Sequence, residues 1–271
     1  MQCTNPTWRK IDPMKQSVIM RKKKNKSLSP HYRLTPCNIC MACRINKATM
    51  WADRLCHELE SWSESAFLTI TYDNNNLPPN GSLEKNEIKL FIKRLRWHYE
   101  KPIKYYICGE YGPNTMRPHY HGIFFGIGTK DLKYFGYEAW QKKCSLQNFH
   151  TDICIPETIR YTTKYLHKKM PGKKGREEYE KLKIEPPFAL MSKGLGKDWC
   201  EKNAEKLLQN KAIISEKGNF HTIPRYYRDK INITENDYDY PDEKIIFEKI
   251  ANQDQRERNA IAASKLKGDK L

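Results

Sequence analysis

The chain has 271 residues, with 49 lysines and arginines against 32 aspartates and glutamates, a formal charge of +17 and a pI near 9.4. That excess, in a chain with 11% aromatics, fits a phosphate-backbone binder with rings to stack on unpaired bases, although a basic balance also serves plain solubility. No secretory signal, internal repeat or membrane-length apolar run is present, so secreted and membrane classes are excluded and a cytosolic protein with one good core plus elaborations is expected.

The first sixty residues read as an extension. Arg21-Lys22-Lys23-Lys24-Asn25-Lys26 is a dense basic run suited to general phosphate contact rather than base reading. It is followed by Pro36-Cys37-Asn38-Ile39-Cys40-Met41-Ala42-Cys43-Arg44, three cysteines at intervals of three. That spacing turns thiolates to one centre, and Zn²⁺ takes four ligands; Cys56 or His57 on the following helix would complete the set. The competing reading packs Cys37, Cys40 and Cys43 as small hydrophobes. Nine cysteines, an odd count in a cytosolic chain, argue against a disulfide framework.

Lys47 to Glu60 has helical composition, and Phe67 to Tyr72 alternates as a strand before the polar loop Asp73 to Pro79. Residues 84 to 100 predict an amphipathic helix with Ile88, Phe91, Ile92 and Leu95 inward and Lys85, Lys89, Lys93 and Arg96 outward. Ile103 to Gly109 is β-rich and predicts a hairpin, through the turn at Gly112 to Asn114, with Arg117-Pro118-His119-Tyr120-His121-Gly122-Ile123-Phe124-Phe125.

In that second strand His119 and His121 share one face, roughly 6–7 Å apart, so both reach one cation. Glu110, at the end of the preceding strand, is the natural third ligand. Two imidazoles and a carboxylate leave coordination positions open, which suits Mg²⁺ or Mn²⁺ bound together with a phosphate. The plainer reading is a hairpin with surface histidines.

A helix near 130 to 143 and a strand near 148 to 155 precede a helix that starts after Pro156 and ends at Lys168-Lys169 before Pro171-Gly172. On it Tyr161 and Tyr165 lie one turn apart, roughly 5.4 Å, and Lys164 and Lys168 each follow a tyrosine by three positions. A phenol is a weak nucleophile until a cation favours its ionised form, and an adjacent ammonium does so. The alternative is an amphipathic helix with the two tyrosines as its core stripe. Further on, Met191 to Trp199 is rich in glycine and lysine but lacks Walker spacing, so no ATP site or helicase is expected. Residues 219 to 228 mix aromatics with arginine and read as a core-capping strand, with DNA contact as the alternative. The tail from about 243 is charged and helix-prone.

Taken in order, Phe67-Leu68-Thr69-Ile70-Thr71-Tyr72, Gly109-Glu110-Tyr111-Gly112 running to Arg117-Pro118-His119-Tyr120-His121-Gly122, and Tyr161-Thr162-Thr163-Lys164-Tyr165 resemble the three motifs of HUH-type rolling-circle replication initiators. The likeness covers roughly residues 34 to 230 and looks most like the initiators of microviruses, in particular the gokushovirus branch, which also carry a Pro-Cys-x-x-Cys-x-x-Cys-Arg element. The resemblance implies an α+β fold, an antiparallel central sheet with flanking helices, here with a Cys-containing extension over 1–60, a nuclease core over 61–170 and a basic extension over 171–271. It implies a divalent ion on His119, His121 and Glu110, attack by Tyr161 or Tyr165 on an origin phosphate, and a 5′-phosphotyrosine link that leaves a 3′-hydroxyl to prime synthesis. The implied partners are an origin in single-stranded DNA and a host helicase and polymerase, in the cytoplasm of a bacterial cell. Plasmid initiators, relaxases and transposases share that chemistry, and a zinc-stabilised, non-enzymatic nucleic-acid binder is the rival reading.

Overall fold

The structure is a computed structural model that describes residues 3, 7–11, 18–20, 32–164, 172–214, 218, 220–233, 258 and 262. The basic run at 21–26 lies outside them. The chain divides into two compact units, 1–47 with 239–271, and 48–238. In the first, β1 (Thr7–Ile11), β2 (Val18–Met20) and β3 (Tyr32–Thr35) form an antiparallel sheet in the order β2-β1-β3.

The second unit is α+β. Its sheet joins β4 (Ser65–Thr71), β5 (Lys104–Tyr111), β6 (Pro118–Phe125), β7 (His150–Ile153) and β8 (Phe188–Met191), every pair antiparallel, in the order β7-β4-β6-β5-β8. Because strand side chains alternate between faces, β4 sends Ala66, Leu68 and Ile70 to one side. There they pack with Ile88, Phe91, Ile92 and Leu95 of α2 (Lys85–Tyr99), with Leu132 of α3 (Thr129–Ala139), and with Trp140. The stripe on α2 is the one its sequence predicts, and the helix stops at Glu100, which turns left-handed at φ 57°.

Phe67 of β4, Tyr106 of β5 and Ile123 and Phe125 of β6 face the other way. They meet Ala52 and Leu55 of α1 (Met41–Leu59) and Ile159 of α4 (Pro156–Lys164). Central β6 is covered on both faces and therefore shows no clean polar alternation. Gly122 is required there: a Cβ would come within 2.6 Å of the Phe124 ring.

Residues beyond the sheet form α5 (Gly172–Lys181), α6 (Lys197–Lys202), α7 (Ala204–Asn210), the β9 (Ile213–Ile214) and β10 (Phe220–His221) pair, and α8 (Arg225–Lys230). The strand expected over 219 to 228 is only two residues long, because Pro224 in extended backbone ends it and N-caps α8. Its core role stands through Tyr227, fully buried with Cys200, Leu207, Ile213 and Ile223. Among the described residues no helix is long and apolar enough to cross a membrane.

The buried Glu58 ties these layers together, with Oε1 accepting from Lys104 Nζ at 2.7 Å and Oε2 from the Gly196 amide at 2.7 Å. Next to it His57 is stacked on Trp199, centroids 3.4 Å apart, with Nδ1 3.0 Å from Tyr227 Oη. Burial pushes the His57 pKa down to about 4. The unfolded chain takes up this proton near its ordinary value of about 6.5 and the folded chain does not, so stability present above that pH is lost as pH falls toward 4, by on the order of 3 kcal/mol. Urea midpoints measured from pH 7 to pH 4.5 should fall more steeply for the natural chain than for His57→Gln; equal slopes would refute the assignment.

Candidate active site

The hairpin register decides what the histidines meet. In β5 and β6, Glu110 stands opposite His119 and Cys108 opposite His121; on the other flank Thr71 and Thr69 of β4 stand opposite the same two histidines. Opposed residues in an antiparallel pair share a face with Cβ atoms ~5 Å apart, so Glu110, His119 and His121 lie on the α1/α4 side of the sheet. His121 Nε2 is 3.2 Å from Glu110 Oε1, and both side chains are buried.

Each ring has its Nδ1 held by the protein. His119 Nδ1 lies 2.8 Å from the Arg117 carbonyl, which only accepts, so Nδ1 carries the proton and Nε2 keeps its lone pair. His121 Nδ1 is 3.0 Å from Thr69 Oγ1. Such outer partners orient imidazoles for metal binding through the remaining nitrogen. Burial lowers the His119 pKa below the ordinary histidine value, which keeps that ring neutral as a ligand must be. Two neutral nitrogens and one carboxylate fit a divalent ion with open positions. Arg117 fixes the turn itself, with Nη2 donating to the Tyr72 carbonyl at 2.7 Å and Nη1 to Asn74 Oδ1 at 3.0 Å.

Helix α4 covers this corner. Its buried stripe is Ile159, Thr162 and Thr163. Tyr161 is 49% exposed, so it does not serve as the core stripe that an amphipathic reading of the helix would require. Its ring stands edge-on to His121, centroids 5.7 Å apart at 85°, and to Phe67 at 6.4 Å. The Cys108 thiol lies 3.6 Å from both the His121 and Thr162 carbonyls and bridges sheet and helix. Lys164 ends the described part of α4, half-buried. Tyr165 and Lys168 lie outside the described residues.

Thr69, Cys108 and Arg117 were not singled out by sequence reasoning. A threonine breaking the apolar run of β4 opposite a histidine was the available signal for the first.

Cys37, Cys40 and Cys43 do converge, but the fourth member is Cys3 and not Cys56 or His57. Among the described residues this is the one group of three or more metal-binding side chains whose donor atoms all lie within 4.8 Å of one another; Glu110 and the two histidines are less tightly drawn together. His57 is instead committed to Tyr227 and Trp199. None of the nine cysteines forms a disulfide.

Comparison with known proteins places this site in context. The family of replication-associated proteins typified by ORF2 matches residues 65–170, which contain the sheet strands β4 to β7, the histidine pair and α4. Replication-associated protein VP4 of Bdellovibrio phage phiMH2K is 29% identical over 250 residues, 84% of this chain and 76% of that protein. Replication-associated protein ORF2 of Spiroplasma virus 4 is 31% identical over 214 residues, 71% of this chain and 66% of that protein. Replication-associated protein ORF4 of Chlamydia phage 1 is 29% identical over 218 residues, 72% of this chain but 52% of that protein, so the matched stretch spans from half to three-quarters of these relatives. No solved structure matches the chain.

Proposed function

Since the chain belongs to the family of microvirus-like phage replication-associated proteins, we propose that it starts and ends rolling-circle replication by nicking and rejoining single-stranded DNA at a viral origin. The observation that carries this reading is the half-exposed Tyr161 standing edge-on to His121, which itself contacts the buried Glu110. A phenol open to solvent beside a metal-competent pair is arranged for attack on a phosphate; a structural tyrosine would be packed away.

His119, His121 and Glu110 would hold Mg²⁺ or Mn²⁺. When bound, the ion polarises the scissile phosphate and offsets charge developing on it. The Tyr161 oxygen forms a bond to phosphorus as the bond from phosphorus to the 3′-oxygen breaks, giving a 5′-phosphotyrosine and a 3′-hydroxyl that takes up a proton. Lys164 favours the ionised phenol of Tyr161 and steadies the leaving oxygen. Tyr165, with Lys168, repeats the transfer on the newly made strand, and the first 3′-end is rejoined. Positive charge holds the strand through its phosphates. A host helicase and polymerase supply strand separation and synthesis in the bacterial cytoplasm.

The test mixes the full chain with end-labelled single-stranded oligonucleotides tiled across a phage genome, with Mn²⁺ or with EDTA, and resolves them on a denaturing gel. A protein–DNA adduct formed only with metal is expected. Tyr161→Phe and Tyr165→Phe should each permit one cleavage but block repeated transfer, and the double variant should form no adduct. Folded protein that binds the oligonucleotides without an adduct under any divalent metal would return the assignment to a non-enzymatic nucleic-acid binder.

A further inference from the structure

We propose that Cys3, Cys37, Cys40 and Cys43 form a structural tetrathiolate zinc site, closed by a cysteine near the start of the chain. A tetrahedron with arms of ~2.3 Å has edges of ~3.8 Å. Two opposite edges of the cluster have that length: Cys37 Sγ to Cys43 Sγ is 3.9 Å and Cys40 Sγ to Cys3 Sγ is 3.8 Å. A disulfide would need ~2.05 Å, so the thiols are gathered without being joined to one another.

The backbone is shaped to hold thiolates. Asn38 turns left-handed, at φ 61°, between Cys37 and Cys40, and the Ile39 and Cys40 amides both donate to Cys37 Sγ, at 3.4 and 3.3 Å. The Cys37 amide donates to Cys3 Sγ at 3.3 Å. These hydrogen bonds stabilise the deprotonated sulfur that a metal requires. Cys40 and Cys43 are three apart where α1 begins, one helical turn from each other, at the end of the helix whose dipole favours negative charge. Arg44 lies in electrostatic range of Cys40 and offsets part of the net negative charge of a zinc tetrathiolate.

Packing alone explains the cluster poorly. The apolar side chains around it are only Met41, Ala42 and Ile45, too few to draw four sulfurs to one point. Four thiolates fill every position of a tetrahedral ion, so the site has no vacancy for substrate and acts in folding rather than in phosphate chemistry. What it secures is the segment leading into β1, tied across 34 positions of sequence to the start of α1.

The proposal is independent of the nicking reading, and its test uses no DNA. Full-length protein prepared without chelators should contain about one zinc per chain by plasma mass spectrometry. A mercurial reagent should release that zinc, as followed with a chelating dye. The cobalt-substituted protein should show the strong thiolate charge-transfer band and intense visible absorption of a tetrahedral tetrathiolate. Cys3→Ser should weaken and shift that spectrum, Cys3→His should restore a tetrahedral one, and Cys56→Ser should leave it unchanged. Should Cys3→Ser not fold, cobalt titration of the natural chain and the Cys56→Ser control still decide the matter. Folded protein without stoichiometric zinc and unable to take up cobalt, protein carrying iron instead, or a Cys3→Ser spectrum identical to that of the natural chain would overturn it.

Discussion

Replacing His121 with alanine is expected to lower metal-dependent adduct formation by roughly a thousandfold or more, the scale seen when a member of a catalytic unit is removed. His121 is the ring on which the site converges: 3.2 Å from Glu110 Oε1, 3.0 Å from Thr69 Oγ1, and edge-on to Tyr161 at 5.7 Å. Alanine removes a metal ligand, the wall against which Tyr161 rests, and the imidazole that accompanies a buried carboxylate. The last of these also costs stability, about 1–3 kcal/mol, so adduct yield is to be read beside an unfolding curve. Glu110→Gln separates the two effects, since it keeps the shape and removes the charge. Both variants should bind single-stranded DNA as the natural chain does, with unchanged salt dependence, because phosphate contacts elsewhere supply that affinity. Full-rate cleavage by folded His121→Ala in Mn²⁺ would remove the histidine pair from the chemistry.

The largest loss of stability is expected for Trp140→Ala, about 3–5 kcal/mol. Trp140 is fully buried, with ring centroids of Tyr72, Phe91 and Tyr120 at 5.1, 5.8 and 5.8 Å, and its indole N–H donates to the Thr71 carbonyl at 3.1 Å. Removing it opens a cavity between the sheet and α2, and takes a donor from the end of β4, where Thr71 pairs with His119. Urea unfolding followed by tryptophan fluorescence and by circular dichroism measures the loss. A change under about 1 kcal/mol, well below the usual cost of emptying a buried aromatic site, would mean that the sheet and α2 pack differently from this description.

Much of the site was legible because it rests on local periods. A strand repeat of two put His119 and His121 on one face, and a short turn fixed the register that set Glu110 opposite His119. The stripe on α2 followed from its 3.6-residue repeat. Features that depend on distant pairing were not legible. Phe188–Met191 joins β5 as an edge strand without any alternation of its own, all four residues being half-buried. The fourth thiol comes from Cys3, which spacing around Cys37, Cys40 and Cys43 cannot point to, whereas His57, the nearer candidate, is taken up by Tyr227. Tyr161 is the instructive case. Its helical position fits a core residue and a nucleophile equally well, and only its exposure beside His121 favours the second.

The most direct measurement is to isolate the metal-dependent protein–DNA adduct, digest it with protease and nuclease, and locate the nucleotide by tandem mass spectrometry. A nucleotide joined through its 5′-phosphate to the oxygen of Tyr161 or Tyr165 is the expected result. A nucleotide attached to any other residue, or an adduct that persists in the Tyr161→Phe, Tyr165→Phe double variant, would contradict the assignment of this corner of the sheet as the nicking site.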